Sequence, residues 1–193
     1  RRGTYLKIVT DLLVNDLNDL NVTWIEGGTY RTTFETLDTD VALTNILNGI
    51  GFISNGEVAQ ERLDAAIDEG QENEHSCFSD NTNKDMWANV NGINNIILGS
   101  YTTENNGTVS GTSLIELVTL INATVATDLA TKAASTITNL NALLSLDINF
   151  DQIINDESFE SVGPAGELSA ALKAQSISIA EGAPALGANI SVE

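Results

Sequence analysis

The chain has 193 residues, 42% of them hydrophobic and 18% charged, enough to bury a core and too apolar for a disordered tail. Its net charge of −19, from 27 acidic and 8 basic residues, excludes a nucleic-acid partner, which needs a basic footprint, and disfavours an anionic membrane surface. One cysteine, Cys77, excludes an internal disulfide, and no apolar run is long enough to span a bilayer.

The chain opens Arg1-Arg2-Gly3, without methionine or a signal peptide, and helical spacing begins at Tyr5. This is the start expected of an internal cut in a longer protein. Tyr5, Ile8, Val9, Leu12, Leu13, Leu17 and Leu20 form one apolar stripe, so a first helix is predicted over residues 4–20. Residues 24–40, with Gly27-Gly28 and many threonines, are predicted as a long irregular loop. Thr39-Asp40 suit the start of a second helix carrying Leu43, Ile46, Leu47 and Ile50.

Gly49, Gly51 and Gly56 follow closely. Mid-helix glycine is unfavourable by about 1 kcal/mol against alanine, so the helix either breaks here or is approached closely by another segment. Ser54 to Glu57 has the spacing of a capping box that restarts it, and Ala59, Leu63, Ala66 and Ile67 continue the stripe. Residues 70–85 are polar and without period, hence a loop. Met86 to Leu98 fits a short helix, and residues 102–111 a further loop.

Ser113 and Glu116 have the spacing of a capping box. The stripe from Leu114 to Leu144 predicts one helix of about 30 residues, roughly 45 Å long. Phe150, Ile153 and Ile154 fall in a connector, and Pro164 suits the first turn of a last helix with Leu168, Ala171, Leu172 and Ile179 facing in. After Gly182 the pattern is weak, as expected of a loosely held tail. The fold class is therefore all-α, an up-down helical bundle with long irregular loops, read as a single domain over residues 1–193.

Two segments carry more specific information. Gly49-Ile50-Gly51, then Gly56-Glu57-Val58-Ala59-Gln60-Glu61-Arg62-Leu63, resembles the Gly-x-Gly and Gly-Glu-Leu-Ala-x-Glu-Arg-Met run of the imelysin family. Glu72-Asn73-Glu74-His75-Ser76-Cys77-Phe78-Ser79-Asp80-Asn81-Thr82 resembles that family's Glu-Glu-His-x-Cys-Phe-Ser-Asp-Asn-Thr-His signature. Gly92-Ile93-Asn94-Asn95, Leu98-Gly99-Ser100-Tyr101 and the opening Arg1-Arg2-Gly3 also fit, and the likeness is densest over residues 49–101. Asn83 stands where the family has its last signature histidine, and the family's Gly-x-His-x-x-Glu motif is absent from this chain.

The resemblance implies the second of two related helical bundles, with a site where they meet and an N-terminal half carrying Gly-x-His-x-x-Glu as partner. It implies a bacterial cell-envelope protein, periplasmic or anchored in the outer membrane as a lipoprotein. It also implies a link to iron or another divalent metal. The family is classed with metallopeptidases, yet no usual zinc-protease motif is present here.

The residues leave several roles open. Glu57 and Glu61, four apart, would share one face of an α-helix and could hold a cation or serve as a base, or could be a cap and a solvated side chain. Arg62 is either a carboxylate clamp for substrate or a partner of Glu61 or Asp64. His75, the sole histidine, is a metal ligand, an acid–base group or a loop anchor. Asp80 suits metal ligation or loop ordering, and Asn81 and Ser79 are read as site-shaping. A Ser79–His75–Asp80 triad is rejected, because no glycine-flanked nucleophile turn surrounds Ser79. Cys77 is read as a small packed side chain beside Phe78. A metal-linked binding protein, a metal-dependent peptidase and a non-catalytic surface or scaffold module are the readings in competition.

Overall fold

The computed structural model describes residues 1–156, 158 and 163–192. It is an all-α fold with one two-stranded hairpin, and it divides into two compact units, Arg1–Ala42 and Leu43–Glu193.

In the first unit, α1 (Arg2–Trp24) is followed by α2 (Thr29–Glu35). The segment expected to be irregular thus contains a helix. The turn between them needs its glycines. Gly27 has φ +75°, and a Cβ on Gly28 would lie 2.4 Å from the Thr23 carbonyl oxygen. Trp24 packs on Tyr30 and Phe34, with ring centroids 4.8 and 6.2 Å apart. The residues of the α1 stripe are exposed. None of its residues is buried, and Tyr5, Ile8, Leu12 and Leu17 are all more than half exposed. Periodicity reports that a helix is amphipathic; it does not say what covers the apolar face.

The division between the units falls within α3 (Thr39–Phe52). This helix does not break at its glycines. It runs directly into a π-helical segment, Ile53–Asp64, and then α4 (Ala65–Glu69). The capping box expected at Ser54 is absent, because Ser54 is fully buried and its hydroxyl donates to the Leu172 carbonyl at 2.8 Å. A Cβ on Gly51 would meet Val192 Cγ1 at 2.7 Å, so the close approach there comes from the C-terminal tail. That tail is held rather than loose. A short 3₁₀ turn, Ala183–Leu186, leads to buried Ala188, and Ile190 packs on the core.

α5 (Thr82–Leu98) starts four residues before the expected Met86. The loop predicted after it is a hairpin, β1 (Ser100–Thr102) paired antiparallel with β2 (Thr108–Ser110), Tyr101 opposite Val109. The Ser113–Glu116 box is present. Ser113 Oγ accepts from the Glu116 N–H at 3.0 Å, and the Glu116 carboxylate accepts from the Ser113 N–H at 2.7 Å. The Ser113 N–H and, at 2.9 Å, the Ser113 hydroxyl donate to that carboxylate and hold it below its usual range, the backbone N–H contributing most. The long helix is divided, however, into α6 (Leu114–Thr119) and α7 (Ala123–Leu144). Asn122 ends the run, because its side chain accepts from the Thr124 and Val125 N–H groups and caps a new helix. α8 (Phe150–Ile154) and α9 (Gly163–Gly182) complete the second unit.

The core lies where α7 packs along α9 and where α9 meets the π-helical segment, with α5 against α7. Leu63, Met86, Ile97, Leu129, Leu143, Leu172 and Ile179 are fully buried there, each contributing roughly 1.5–3 kcal/mol. A polar network runs through this apolar centre. Buried Gln175 donates to Asn94 Oδ1 at 3.1 Å and Thr136 Oγ1 at 3.3 Å, and accepts from Ser54 Oγ at 3.3 Å. Asn94 donates to Thr136 Oγ1 at 3.1 Å and to the Val90 carbonyl at 3.0 Å. One side chain from each of four helical segments is thereby tied to its neighbours, which disfavours sliding of any one of them. No helix is long and apolar enough to cross a membrane among the described residues.

Candidate functional site

The two motif segments meet at the loop between α4 and α5. Gly70, with φ +106°, turns the chain out of α4. Two 3₁₀ turns follow, Gln71–Asn73 and Cys77–Ser79, and Asp80 takes the left-handed conformation at φ +51°. The expectation of a loop rich in capable side chains holds, but its anchor is Asp85, one turn into α5. The Asp85 carboxylate accepts from Ser76 Oγ and from Asn81 Nδ2, the latter at 3.2 Å. Thr82, buried, accepts the Ser76 N–H at 3.0 Å.

His75 lies between two α5 side chains. Its Nδ1 is 3.5 Å from Asp85 Oδ2 and its Nε2 is 3.5 Å from Asn89 Nδ2. Both contacts are long, and they orient the ring as a loop anchor with Nδ1 toward the carboxylate. Ser76, not Ser79, is the serine near this pair. Its hydroxyl is engaged by Asp85 and makes no hydrogen bond to His75, so the geometry of a base-activated nucleophile is missing. Ser79 Oγ donates to the Ser76 carbonyl at 3.3 Å and shapes the turn. Cys77 is only partly buried, and Phe78 beside it is 99% exposed, so the two do not pack as a pair. Desolvation pushes the Cys77 thiol up, with the carboxylates of Glu72, Glu74 and Asp80 adding to it, so it is a poor nucleophile.

The π-helical winding changes the roles of the glutamates. Arg62 Nε and Nη2 both donate to Glu57 Oε1, at 3.0 and 2.7 Å. The partners are five residues apart, which suits the wider turn of a π-helix. Arg62 therefore pairs with Glu57 rather than with Glu61 or Asp64, and Glu57 is not a cap. Asp64 is taken by Lys173 and by the Ser169 hydroxyl on α9.

Glu61 belongs to a different feature. With Asp64, Asp68, Glu69, Glu72 and Glu74 it lines a cleft of about 440 Å³ beside α4. Arg62 also lines the cleft, but its guanidinium is paired with Glu57, and Lys173 is paired with Asp64. Glu61, Asp68, Glu69, Glu72 and Glu74 consequently have no basic partner among the described residues. Glu74 is the unusual member. It is only 6% exposed, and among the described residues its carboxylate accepts no N–H or hydroxyl hydrogen bond; the Cys77 thiol is its weak neighbour.

The four candidate metal ligands are not gathered. Glu57 is with Arg62, His75 with Asp85 and Asn89, Glu61 in the acidic cleft, and Asp80 at the loop's left-handed turn. Among the described residues no three His, Cys, Asp or Glu side chains converge to hold a metal ion. These candidates by themselves do not fit a resident metal. Asp85 and Glu74 were missed by sequence reasoning. The first lies in a helix whose start was placed too late, and nothing in a run of acidic residues marks Glu74 as the one that is buried.

A bundle built on a π-helical Gly-Glu-Val-Ala-Gln-Glu-Arg segment, with an Asp-anchored His-Ser-Cys-Phe-Ser-Asp-Asn-Thr loop, defines the class. The family model for imelysin matches residues 1–178, and the chain belongs to the imelysin family. No curated protein matches it.

Proposed function

We propose that this chain is the cation-binding part of an imelysin-like protein of the bacterial cell envelope, periplasmic or anchored in the outer membrane. Iron is the ion the family resemblance suggests. The observation that carries the reading is a cleft lined by Glu61, Asp68, Glu69, Glu72 and Glu74, five carboxylates without a basic partner among the described residues, Glu74 being the most covered of them. A hard cation is favoured where several carboxylate oxygens face one cleft. The cleft supplies field and one or two oxygen ligands; water and the Gly-x-His-x-x-Glu half of a longer protein supply the others.

The test is calorimetric titration of ferrous, zinc and calcium ions into this chain and into the longer protein. Glu74→Gln keeps the shape and removes the charge, and is expected to weaken binding about 10-fold or more. His75→Ala, which loosens the loop, is expected to have a smaller effect on this chain. Absence of binding to both proteins, or equal binding by Glu74→Gln, would sink the proposal. Chelator-sensitive cleavage of an unfolded peptide would move the reading to a metal-dependent peptidase.

A further inference from the structure

A second cleft, of about 690 Å³, lies between the outer face of α5 and the β1–β2 hairpin. Its chemistry differs from that of the acidic cleft. Trp87 and Tyr101 line it, and they are 55% and 50% exposed. Neither belongs to the hydrophobic core, so both rings are free at the surface to take a ligand. Planar polar groups line the same cleft: Asn91 and Asn95 from α5, Glu104 and Asn106 from the hairpin turn.

The spacing is built by the helix. Trp87, Asn91 and Asn95 recur every four residues and share one face. Asn91 Nδ2 donates to the Trp87 carbonyl at 2.7 Å, which fixes its amide and leaves Oδ1 for a ligand. The side chains of Asn95 and Asn106 make no hydrogen bond among the described residues, and Glu104 makes no ion pair among them. Ala88 and Gly92 keep the floor low, and open space surrounds the position where a Cβ on Gly92 would lie.

Exposed aromatic faces beside amides and a carboxylate suit a ligand with flat C–H faces and many hydroxyls. Pyranose rings stack on indole and phenol faces, while amide and carboxylate groups take neighbouring hydroxyls as donors and acceptors. A nucleobase would also stack, but its phosphates oppose a chain of net charge −19. A polyproline peptide would use the two rings and leave the amides without partners. We propose that the groove between α5 and the hairpin binds a neutral oligosaccharide, with Trp87 and Tyr101 stacking on sugar faces and Asn91, Asn95 and Glu104 holding hydroxyls.

The experiment titrates cello-, malto- and N-acetylchito-oligosaccharides, and separately a polyproline peptide, into this chain, followed by calorimetry and by tryptophan fluorescence. Trp24→Phe is the working background, so that emission reports on Trp87 alone. At least one of the sugars should bind and shift that emission. Trp87→Ala should weaken it about 10-fold or more, and Asn95→Ala by several-fold. Both sites are at the surface, and unchanged circular dichroism confirms that the variants fold. The proposal is overturned if none of the three sugars binds, if binding survives Trp87→Ala, or if only the polyproline peptide binds through Trp87. It is independent of the acidic cleft, because Glu74→Gln should leave sugar binding unchanged.

Discussion

Replacing Gln175 by methionine tests whether the buried polar network specifies the packing of the second unit. Methionine keeps the length of the side chain and removes its amide. Gln175 is fully buried, and its loss does not strand every partner. Thr136 Oγ1 still accepts from Asn94 at 3.1 Å and donates to the Ala133 carbonyl at 2.9 Å, and Ser54 still donates to the Leu172 carbonyl at 2.8 Å. One acceptor, Asn94 Oδ1, is left without a donor. An orphaned buried acceptor costs about 1–3 kcal/mol. With a urea dependence of about 2 kcal/mol per molar, the unfolding midpoint falls by roughly 1 M at the centre of that range. Adding Asn94→Leu removes the orphan, so the double variant should be less destabilised than the two single costs combined, by about 1 kcal/mol or more. Urea unfolding followed by far-UV circular dichroism measures all four proteins of the cycle. Additive costs, or a Gln175→Met cost below about 0.5 kcal/mol, would refute the reasoning.

Three further outcomes are expected. Glu116 has a lowered folded-state pKa, so its cap stabilises α6 above the ordinary glutamate range and the contribution is lost as pH falls through the folded value. An NMR titration of the Glu116 carboxyl should show a midpoint below that of an unstructured glutamate. Gly51→Ala should displace Val192, seen as faster amide exchange over Ala188–Val192. In a Val192→Ala background the same change should raise stability, by up to about 1 kcal/mol. Glu57→Gln should cost less than about 1 kcal/mol and lose that effect at high salt, because Glu57 and Arg62 are each 36% exposed.

Much of the second unit is legible in the sequence because its helices bury one face. Leu47 and Ile50, Val90 and Ile97, Leu129 and Leu140, and Leu168 and Ile179 all follow the expected stripes into the core. The Ser113–Glu116 box is legible because both of its bonds are local. The failures have physical causes. Asn122 sits within an apolar stripe, and composition does not say whether an asparagine decorates a helix or caps one. The β1–β2 hairpin is too short for alternation to show. The buried positions Ser54, Val58, Ala59 and Leu63 recur at four and five residues, a π spacing easily taken for an α one. The candidate site suffered from that last confusion, since pairing glutamates four apart presumes an α-helix. What separates Glu74 from its acidic neighbours is burial, which depends on how the 3₁₀ turns fold back.

The π-helical segment also makes chain length matter as much as residue identity. Each residue of an α-helix advances about 100° around its axis, and a wider helix advances less per residue, so twelve residues of it accumulate a lag. Deleting a single residue between Ile53 and Asp64 would invite the segment to contract to α winding and swing α4 round its axis. Asp68 and Glu69 would leave the cleft although no acidic residue had been changed, and Leu63 and Ala66 would be carried off the core. Imelysin-family chains one residue shorter here should therefore either keep a π turn elsewhere in the stretch or lack the acidic cleft.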